Sequence, residues 1–461
     1  MKYLSTRGGV NNLDFGDVVL AGLARDGGLF LPEIYPDVSN KLETWTDLSY
    51  QQLAVEVMLP FVEPTLNREQ LTTLVDKSYA TFSNDDVTPL VPFSDGYILE
   101  LFHGPTFAFK DVALQFLGNL FEELLSRDNQ QLNIVGATSG DTGSAAIYGV
   151  RGKKGIRIFM LHPEGKVSKV QQLQMTTVMD DNVFNLAVDG NFDDCQQIVK
   201  DLFNDLKFRD AYQLGAVNSI NFARILAQTV YYFYAGLKFK NQHPEKALVF
   251  SVPTGNFGDV FAGYIAKKMG LPIAQLIIAT NENDIVSRTL LTGEYTLKQV
   301  QQTLSPAMDI QISSNFERLL FDLCGRDALK VNAHMMSLSE NGRFRLSAEE
   351  LARFQSDFIS LRVERGDTLN TMKQQLEQGV TLDPHTAIGV YAASQLSTDK
   401  TICLATAHAA KFPEATKLVS DKAIDIPDAI SKLEGLQQRY KNLTAKKSDI
   451  AEFIISTCQS D

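Results

Sequence analysis

Glu100-Leu-Phe-His-Gly-Pro-Thr-Phe-Ala-Phe-Lys110-Asp111 is the stretch on which the reading of this chain turns. An apolar run over residues 97–102 enters it as a strand, and it leaves through a helix with apolar positions at Ala113, Phe116, Leu117, Leu120, Phe121 and Leu124. Between them lies His103-Gly104-Pro105, and then Phe107 and Phe109 flanking Ala108 just before Lys110. An ammonium lodged among aromatic rings is poorly hydrated, so its pKa falls and the neutral amine becomes a nucleophile towards carbonyl groups. A solvated lysine at a helix start is the competing reading, although a cation at the positive end of a helix is electrostatically misplaced.

The same strand–loop–helix pattern recurs along the chain. Asn133-Ile-Val-Gly-Ala137 leads through Thr138-Ser-Gly-Asp-Thr-Gly143 into a small-residue helix. Ala247-Leu-Val-Phe-Ser-Val252 leads through Pro253-Thr-Gly-Asn-Phe-Gly258 into a helix ending near Gly270. Ile402-Cys-Leu-Ala405 leads into Thr406-Ala-His-Ala-Ala-Lys411, and further strand-like runs cover residues 156–161, 183–188 and 274–279. Alternation on this scale predicts an α/β chain with mostly parallel sheets, whose ligands sit beyond the carboxyl ends of the strands. Residues 1–95 read differently: prolines at 32, 36, 60, 64, 89 and 92 punctuate them, and helix-like spacing spans residues 48–58 and 68–82. They form a mainly helical N-terminal region packed on the rest of the chain.

The bulk numbers agree with a large folded chain. Its 461 residues, 44% hydrophobic and 21% charged, fit two or three domains. A net charge of −12 attracts neither nucleic acid nor an anionic membrane, so neither is expected as a partner. The cysteines at 195, 324, 403 and 458 form no CxxC pair, which argues against disulfides and zinc and for a reducing compartment. The first residues lack the apolar core of a signal peptide, and no apolar run approaches the ~20 residues of a bilayer span. Cytoplasmic location is the expectation.

Each candidate loop carries two readings. Thr254-Gly-Asn-Phe-Gly258 opens a helix, so its backbone N–H groups and the helix dipole make a phosphate cradle; the alternative is an ordinary tight turn. It matches neither GxGxxG nor GxxxxGK[ST]. Ser139, Gly140, Asp141 and Thr142 suit a small carboxylate, or else Ser139, Asp141 or Thr142 simply caps a helix. In Asn218-Ser-Ile-Asn-Phe-Ala-Arg224, Asn218 and Arg224 suit a phosphate or carboxylate, against a surface ion pair for Arg224. His103, His385 and His408 lie near these loops, but no HExxH or paired-histidine spacing is present, so no metal is expected.

Taken together, these segments resemble the threonine synthase family, in the longer type found in many bacteria and fungi. The resemblance runs in order through Tyr3-Leu-Ser-Thr-Arg-Gly-Gly9, the Lys110 segment continued to Phe116, residues 136–146, residues 218–224 and Val252-Pro-Thr-Gly-Asn-Phe-Gly-Asp259. It continues through Leu304-Ser-Pro-Ala-Met-Asp309, Ser313-Ser-Asn-Phe-Glu-Arg318, Asp383-Pro-His-Thr386 and Leu404-Ala-Thr-Ala-His408.

The resemblance implies the two-lobed pyridoxal-phosphate fold shared with the tryptophan synthase β chain and the serine/threonine dehydratases. It implies an N-terminal domain over residues 1–95, a large cofactor domain from 96–127 and 211–461, and a smaller α/β domain inserted at 128–210. Pyridoxal 5'-phosphate would be carried on Lys110 as a Schiff base, with its phosphate on Gly255, Asn256, Phe257, Gly258 and Asp259 and its ring nitrogen beside Thr406. Ser139, Gly140, Asp141 and Thr142 would take the substrate carboxylate near the cofactor's phenolic oxygen, where the wider fold group commonly has Asn in place of Asp141. Asn218 and Arg224 would take the substrate's phosphate. The implied reaction converts O-phospho-L-homoserine and water to L-threonine and phosphate by γ-elimination and β-addition of water, the last step of threonine biosynthesis. A β-eliminating dehydratase and a catalytically silent phosphometabolite sensor are the rival functions, and a monomer or a homodimer is the expected state.

Overall fold

The computed structural model describes residues 1–94, 96–397, 399–420 and 426–459. The larger sheet runs in the order Phe358–Arg362, Ile273–Thr280, Leu248–Pro253, Thr401–Ala405, Gly96–Glu100, Leu90–Phe93. All its neighbours are parallel except the edge pair Leu90–Phe93 with Gly96–Glu100, which is antiparallel. Strands in a parallel sheet covered on both faces read as continuous apolar runs, and Leu248–Pro253 and Thr401–Ala405 are buried along their whole length. The helix Phe222–Gln242 is buried over nearly its entire surface, which explains its dense aromatic and aliphatic content.

The smaller sheet is fully parallel, in the order Lys441–Thr444, Val183–Asp189, Ile156–Pro163, Leu132–Ala137, Leu214–Gly215. This revises one boundary. Residues 441–459, expected with the large domain, lie on the smaller sheet: Lys441–Thr444 pairs with Val183–Asp189, and Ile450 and Ile454 of the last helix pack with Val135, Phe159 and Leu186. Leu214–Gly215 likewise joins this sheet rather than the large one, and the boundary at 95 falls outside the described residues. Among the described residues no helix is long and apolar enough to cross a membrane.

The N-terminal region folds on an antiparallel pair, Tyr3–Ser5 with Phe30–Pro32, and on helices Phe15–Ala21, Tyr50–Val62 and Arg68–Tyr79. The helix expected at 48–58 starts at a capping box on Ser49 and carries Pro60 in its last turn. This region reaches the large sheet's loops through specific bonds. Thr6 Oγ1 donates to Glu317 at 2.6 Å, Arg7 pairs with the same carboxylate, and Asn221 Nδ2 donates to the Val19 carbonyl at 2.9 Å. Arg318, fully buried, donates from Nε to the Phe30 carbonyl at 3.0 Å and from Nη2 to the Ile220 carbonyl. The N-terminal region thereby fixes the segment carrying Asn218 and Arg224.

Candidate active site

Lys110 is the first residue of helix Lys110–Arg127, and the loop before it is closed by its own neighbour. Thr106 donates both its N–H (2.8 Å) and its hydroxyl (2.7 Å) to the Asp111 carboxylate. Phe107 adopts a left-handed φ of 59°, which turns the chain so that Phe109 N–H donates to the Thr406 carbonyl at 2.8 Å and His408 N–H to the Phe107 carbonyl at 3.1 Å. The Lys110 loop and the Thr406 loop, at the ends of adjacent parallel strands, are therefore stitched together. Burial pushes the Asp111 carboxyl up to about 6 despite its bonds to Thr106.

Lys110 itself is 7% exposed, with Nζ 5.2 Å from the centre of the Phe109 ring. Burial lowers its pKa most, Asp141 opposes that, and the charges of Lys411 and Arg224 lower it further. The desolvated amine expected from the aromatic flanks is present, and the solvated reading is excluded.

Lys110 shares a cavity with Pro253, Thr254, Gly255, Asn256, Phe257, Asp259, His385 and Thr406. Phe257 takes a left-handed φ of 66° and buries its ring against Phe316 and Phe358, which twists the loop into helix Gly258–Lys268. Asn315 N–H donates to the Asn256 carbonyl and Ser313 Oγ to the Gly255 carbonyl, so the loop's acceptors are satisfied from behind. Among the described residues no backbone carbonyl takes the N–H groups of Gly255, Asn256 or Phe257. These donors at a helix start are suited to an oxyanion. A Cβ at Gly255 would come within 2.9 Å of the Ala307 carbonyl oxygen and 3.0 Å of Met308 Cα. A larger residue there would have to displace that backbone.

Asp259, expected with the cofactor-binding residues, lines the cavity but gives its carboxylate to tyrosines: Tyr231 and Tyr232 hydroxyls donate to Oδ1 at 2.5 and 3.0 Å. Burial pushes its pKa up to about 6, against those bonds. Its other oxygen, Oδ2, is buried with no hydrogen-bond partner among the described residues.

The loop after Leu132–Ala137 is capped by a residue not anticipated for that task. Thr138 Oγ1 accepts from Gly140 and Gly143 N–H at 2.9 Å each, and Gly140, at φ 146°, is the N-cap position. Ser139 is left exposed and Thr142 half-buried. Asp141 is buried and is the centre of a charge chain: Oδ2 lies 3.5 Å from Lys110 Nζ, while Oδ1 lies 2.8 Å from Lys411 Nζ and 2.8 Å from Gln171 Nε2. Burial alone would raise its pKa, but the charges of Lys411 and Lys110 overcome that and hold it far below the usual carboxylate range.

Arg224 is no surface ion pair. It is 4% exposed, and its Nε and one terminal nitrogen have no hydrogen-bond partner among the described residues. Burial lowers its pKa to about 10. A buried guanidinium left unpaired is costly unless an anion is meant to meet it. Asn218 is half-buried and uses Oδ1 to accept from Ile220 N–H at 3.3 Å.

Two residues belong to the site to which the sequence assigned no role in it. Lys411, with no exposed surface, bridges Asp141 and the Thr106 carbonyl. His385 is oriented by Asp383, which takes Nδ1 at 2.8 Å, and its buried Nε2 has no partner and lines the cavity beside Thr406. The available signal for His385 was the Asp383-Pro-His-Thr386 segment itself. Away from the cavity, Cys324, His334 and Glu350 bring ligand atoms within 4.8 Å of one another. That cluster is internally satisfied, since the thiol donates to Glu350 at 3.3 Å and Glu350 accepts Ser347 N–H at 2.7 Å.

Free N–H donors at a helix start, a glycine against whose position the backbone of Ala307 and Met308 closes, and a desolvated lysine on one cavity fit a phosphorylated aldehyde cofactor. Comparison with known proteins agrees. The family described as "Threonine synthase N terminus" matches residues 2–79, "Pyridoxal-phosphate dependent enzyme" matches 87–349, and "Threonine synthase, C-terminal" matches 386–454. The threonine synthase of Saccharomyces cerevisiae is 46% identical over 95% of this chain and 94% of its own length. That of Pseudomonas aeruginosa is 44% identical over 98% of both. Among solved structures, the PLP-bound threonine synthase from Brucella melitensis superposes with a TM-score of 0.96 at 47% identity, covering 99% of each chain. The yeast enzyme gives a TM-score of 0.95 at 44% identity over 100% of this chain and 99% of its own. Identity of this extent, end to end, makes the chain a member of the threonine synthase family of pyridoxal-phosphate-dependent enzymes.

Proposed function

We propose that the chain converts O-phospho-L-homoserine and water to L-threonine and phosphate, and that it does so in the cytoplasm as a monomer or homodimer. The observation that supports the reaction is the buried Arg224 guanidinium, two of whose nitrogens have no partner among the described residues and whose charge acts on Lys110. One anion site suffices for a cofactor phosphate. A second, beside the reactive amine, calls for a substrate with a phosphate of its own.

When bound, pyridoxal phosphate supplies an electron sink for the carbanion formed on the substrate. The chain's residues supply the rest. Lys110 would anchor the cofactor and, once freed, would present its amine to Cα as a general base. The backbone N–H groups of Gly255, Asn256 and Phe257 would hold the cofactor phosphate, Gly258 would close that loop with its N–H on Asn256 Oδ1 at 2.9 Å, Asp259 would brace it, and Thr406 would stand at the ring nitrogen. Ser139, Gly140, Asp141 and Thr142 orient the substrate carboxylate. Lys110 would remove the Cα proton and then a Cβ proton, phosphate would leave Cγ with the bonding pair towards Asn218 and Arg224, a proton would return to Cγ, water would add its hydroxyl at Cβ, and a proton would finally return to Cα. Fixed positive charge at the departing phosphate stabilises that step without reorganisation.

Gly255→Ala is expected to weaken cofactor binding by about tenfold or more, since the added methyl must displace backbone at Ala307 and Met308. Titration of the stripped variant with pyridoxal phosphate, followed by visible absorbance, measures this. The reaction assignment is tested with the purified, cofactor-loaded chain. O-phospho-L-homoserine should yield one L-threonine per phosphate released. Ammonia and a 2-oxo acid from L-serine or L-threonine, with no phosphate release from O-phospho-L-homoserine, would make the chain a dehydratase instead.

A further inference from the structure

We propose that Lys411 is a positioning residue that keeps the Lys110 amine available, by taking up the charge of Asp141. Asp141 Oδ1, on the buried carboxylate between the two lysines, is saturated by Lys411 at 2.8 Å and Gln171 at 2.8 Å, which leaves only Oδ2, 3.5 Å away, for Lys110 Nζ. With a single lysine partner, a buried carboxylate would hold that lysine as a tightly paired ammonium, useless as nucleophile or base. Two lysines on one carboxylate leave a surplus positive charge, and the less firmly held amine gives up its proton. Lys411 is held by both Asp141 and the Thr106 carbonyl, at 2.7 Å, whereas Lys110 has the longer contact and the face of Phe109.

The other charged groups around Lys110 do not substitute for Lys411. Asp111 on the same helix is closed by Thr106, Asp259 across the cavity is bound to Tyr231 and Tyr232, Arg224 is positive, and His385 presents an unpaired Nε2. The directions of the pKa shifts agree: burial lowers Lys110 most, Asp141 raises it, and Lys411 lowers it again. The Asp141–Lys411 pair is also net neutral.

The proposal rests on Lys110 being the cofactor-bearing amine, and its test separates the two. The full-length chain is stripped of cofactor with hydroxylamine, and the rate of covalent capture of pyridoxal phosphate is followed by absorbance across pH. Lys411→Met should move the midpoint of that profile upward by roughly one pH unit or more, so that capture near neutral pH slows about tenfold. Asp141→Asn should move it downward, and the double variant should return it towards the parent. A Lys411→Met profile with the parent's midpoint, even if slower at every pH, would overturn the proposal. Should that variant fail to fold, Lys411→Gln, which keeps a hydrogen-bond donor beside Asp141 but no charge, decides in its place. A parent midpoint in that variant is equally fatal. Lys110→Ala should show no capture at any pH, and capture there would instead sink the assignment of Lys110.

Discussion

Lys110→Ala should abolish turnover, by at least about ten-thousandfold, and remove the visible absorbance of the cofactor-loaded protein. The size of the effect reflects the two tasks that fall on one amine, anchoring the cofactor and moving protons at Cα and Cβ. No neighbour can take them over. Lys411, the nearest other amine, is held by Asp141 and the Thr106 carbonyl. The fold should survive, because Asp141 keeps Lys411 and Gln171 as partners and is not left as an unpaired buried charge. Circular dichroism and thermal unfolding of the variant check this, so that a loss of activity is not mistaken for a loss of structure. Turnover within about a hundredfold of the parent would contradict the account.

The second large effect is expected at Arg224. Arg224→Met should lower kcat/KM for O-phospho-L-homoserine by about a hundred- to a thousandfold while leaving the cofactor's absorbance unchanged. Stability should hold or rise, because the guanidinium is buried with unpaired nitrogens and its removal orphans no partner. That combination, lost function without lost stability, distinguishes an anion site from a structural arginine. The pH dependence has a defined sign. With its pKa pushed down to about 10 by burial, Arg224 is charged at neutral pH, so substrate binding should hold there and weaken as pH rises towards 10. Initial rates at several substrate concentrations across pH measure it.

The parts of this architecture that were legible in the sequence share one property: their signal is local. The Lys110 segment announces itself by aromatic flanks, and the buried parallel strands by continuous apolar runs such as Leu248–Pro253. What was not legible depends on partners distant in the chain. Lys411 meets the Thr106 carbonyl across 305 residues of sequence, and nothing in Ala409-Ala410-Lys411 signals that its ammonium is buried. The strand Lys441–Thr444 is short, polar and largely exposed, so no periodicity marks it; it is a strand because Val183–Asp189 offers it an open edge. Thr138 caps its loop from outside the usual N-cap position, because Gly140 occupies that position with a backbone angle only glycine adopts readily.

The most direct test of the central claim is the fate of oxygen during turnover of O-phospho-L-homoserine in water enriched in heavy oxygen. Loss of phosphate from Cγ, with water then adding at Cβ, breaks the carbon–oxygen bond. The heavy oxygen should then appear in the hydroxyl of L-threonine and be absent from the released phosphate. Heavy oxygen in the phosphate, with L-homoserine as the organic product, would mean cleavage of the phosphorus–oxygen bond and would contradict the account.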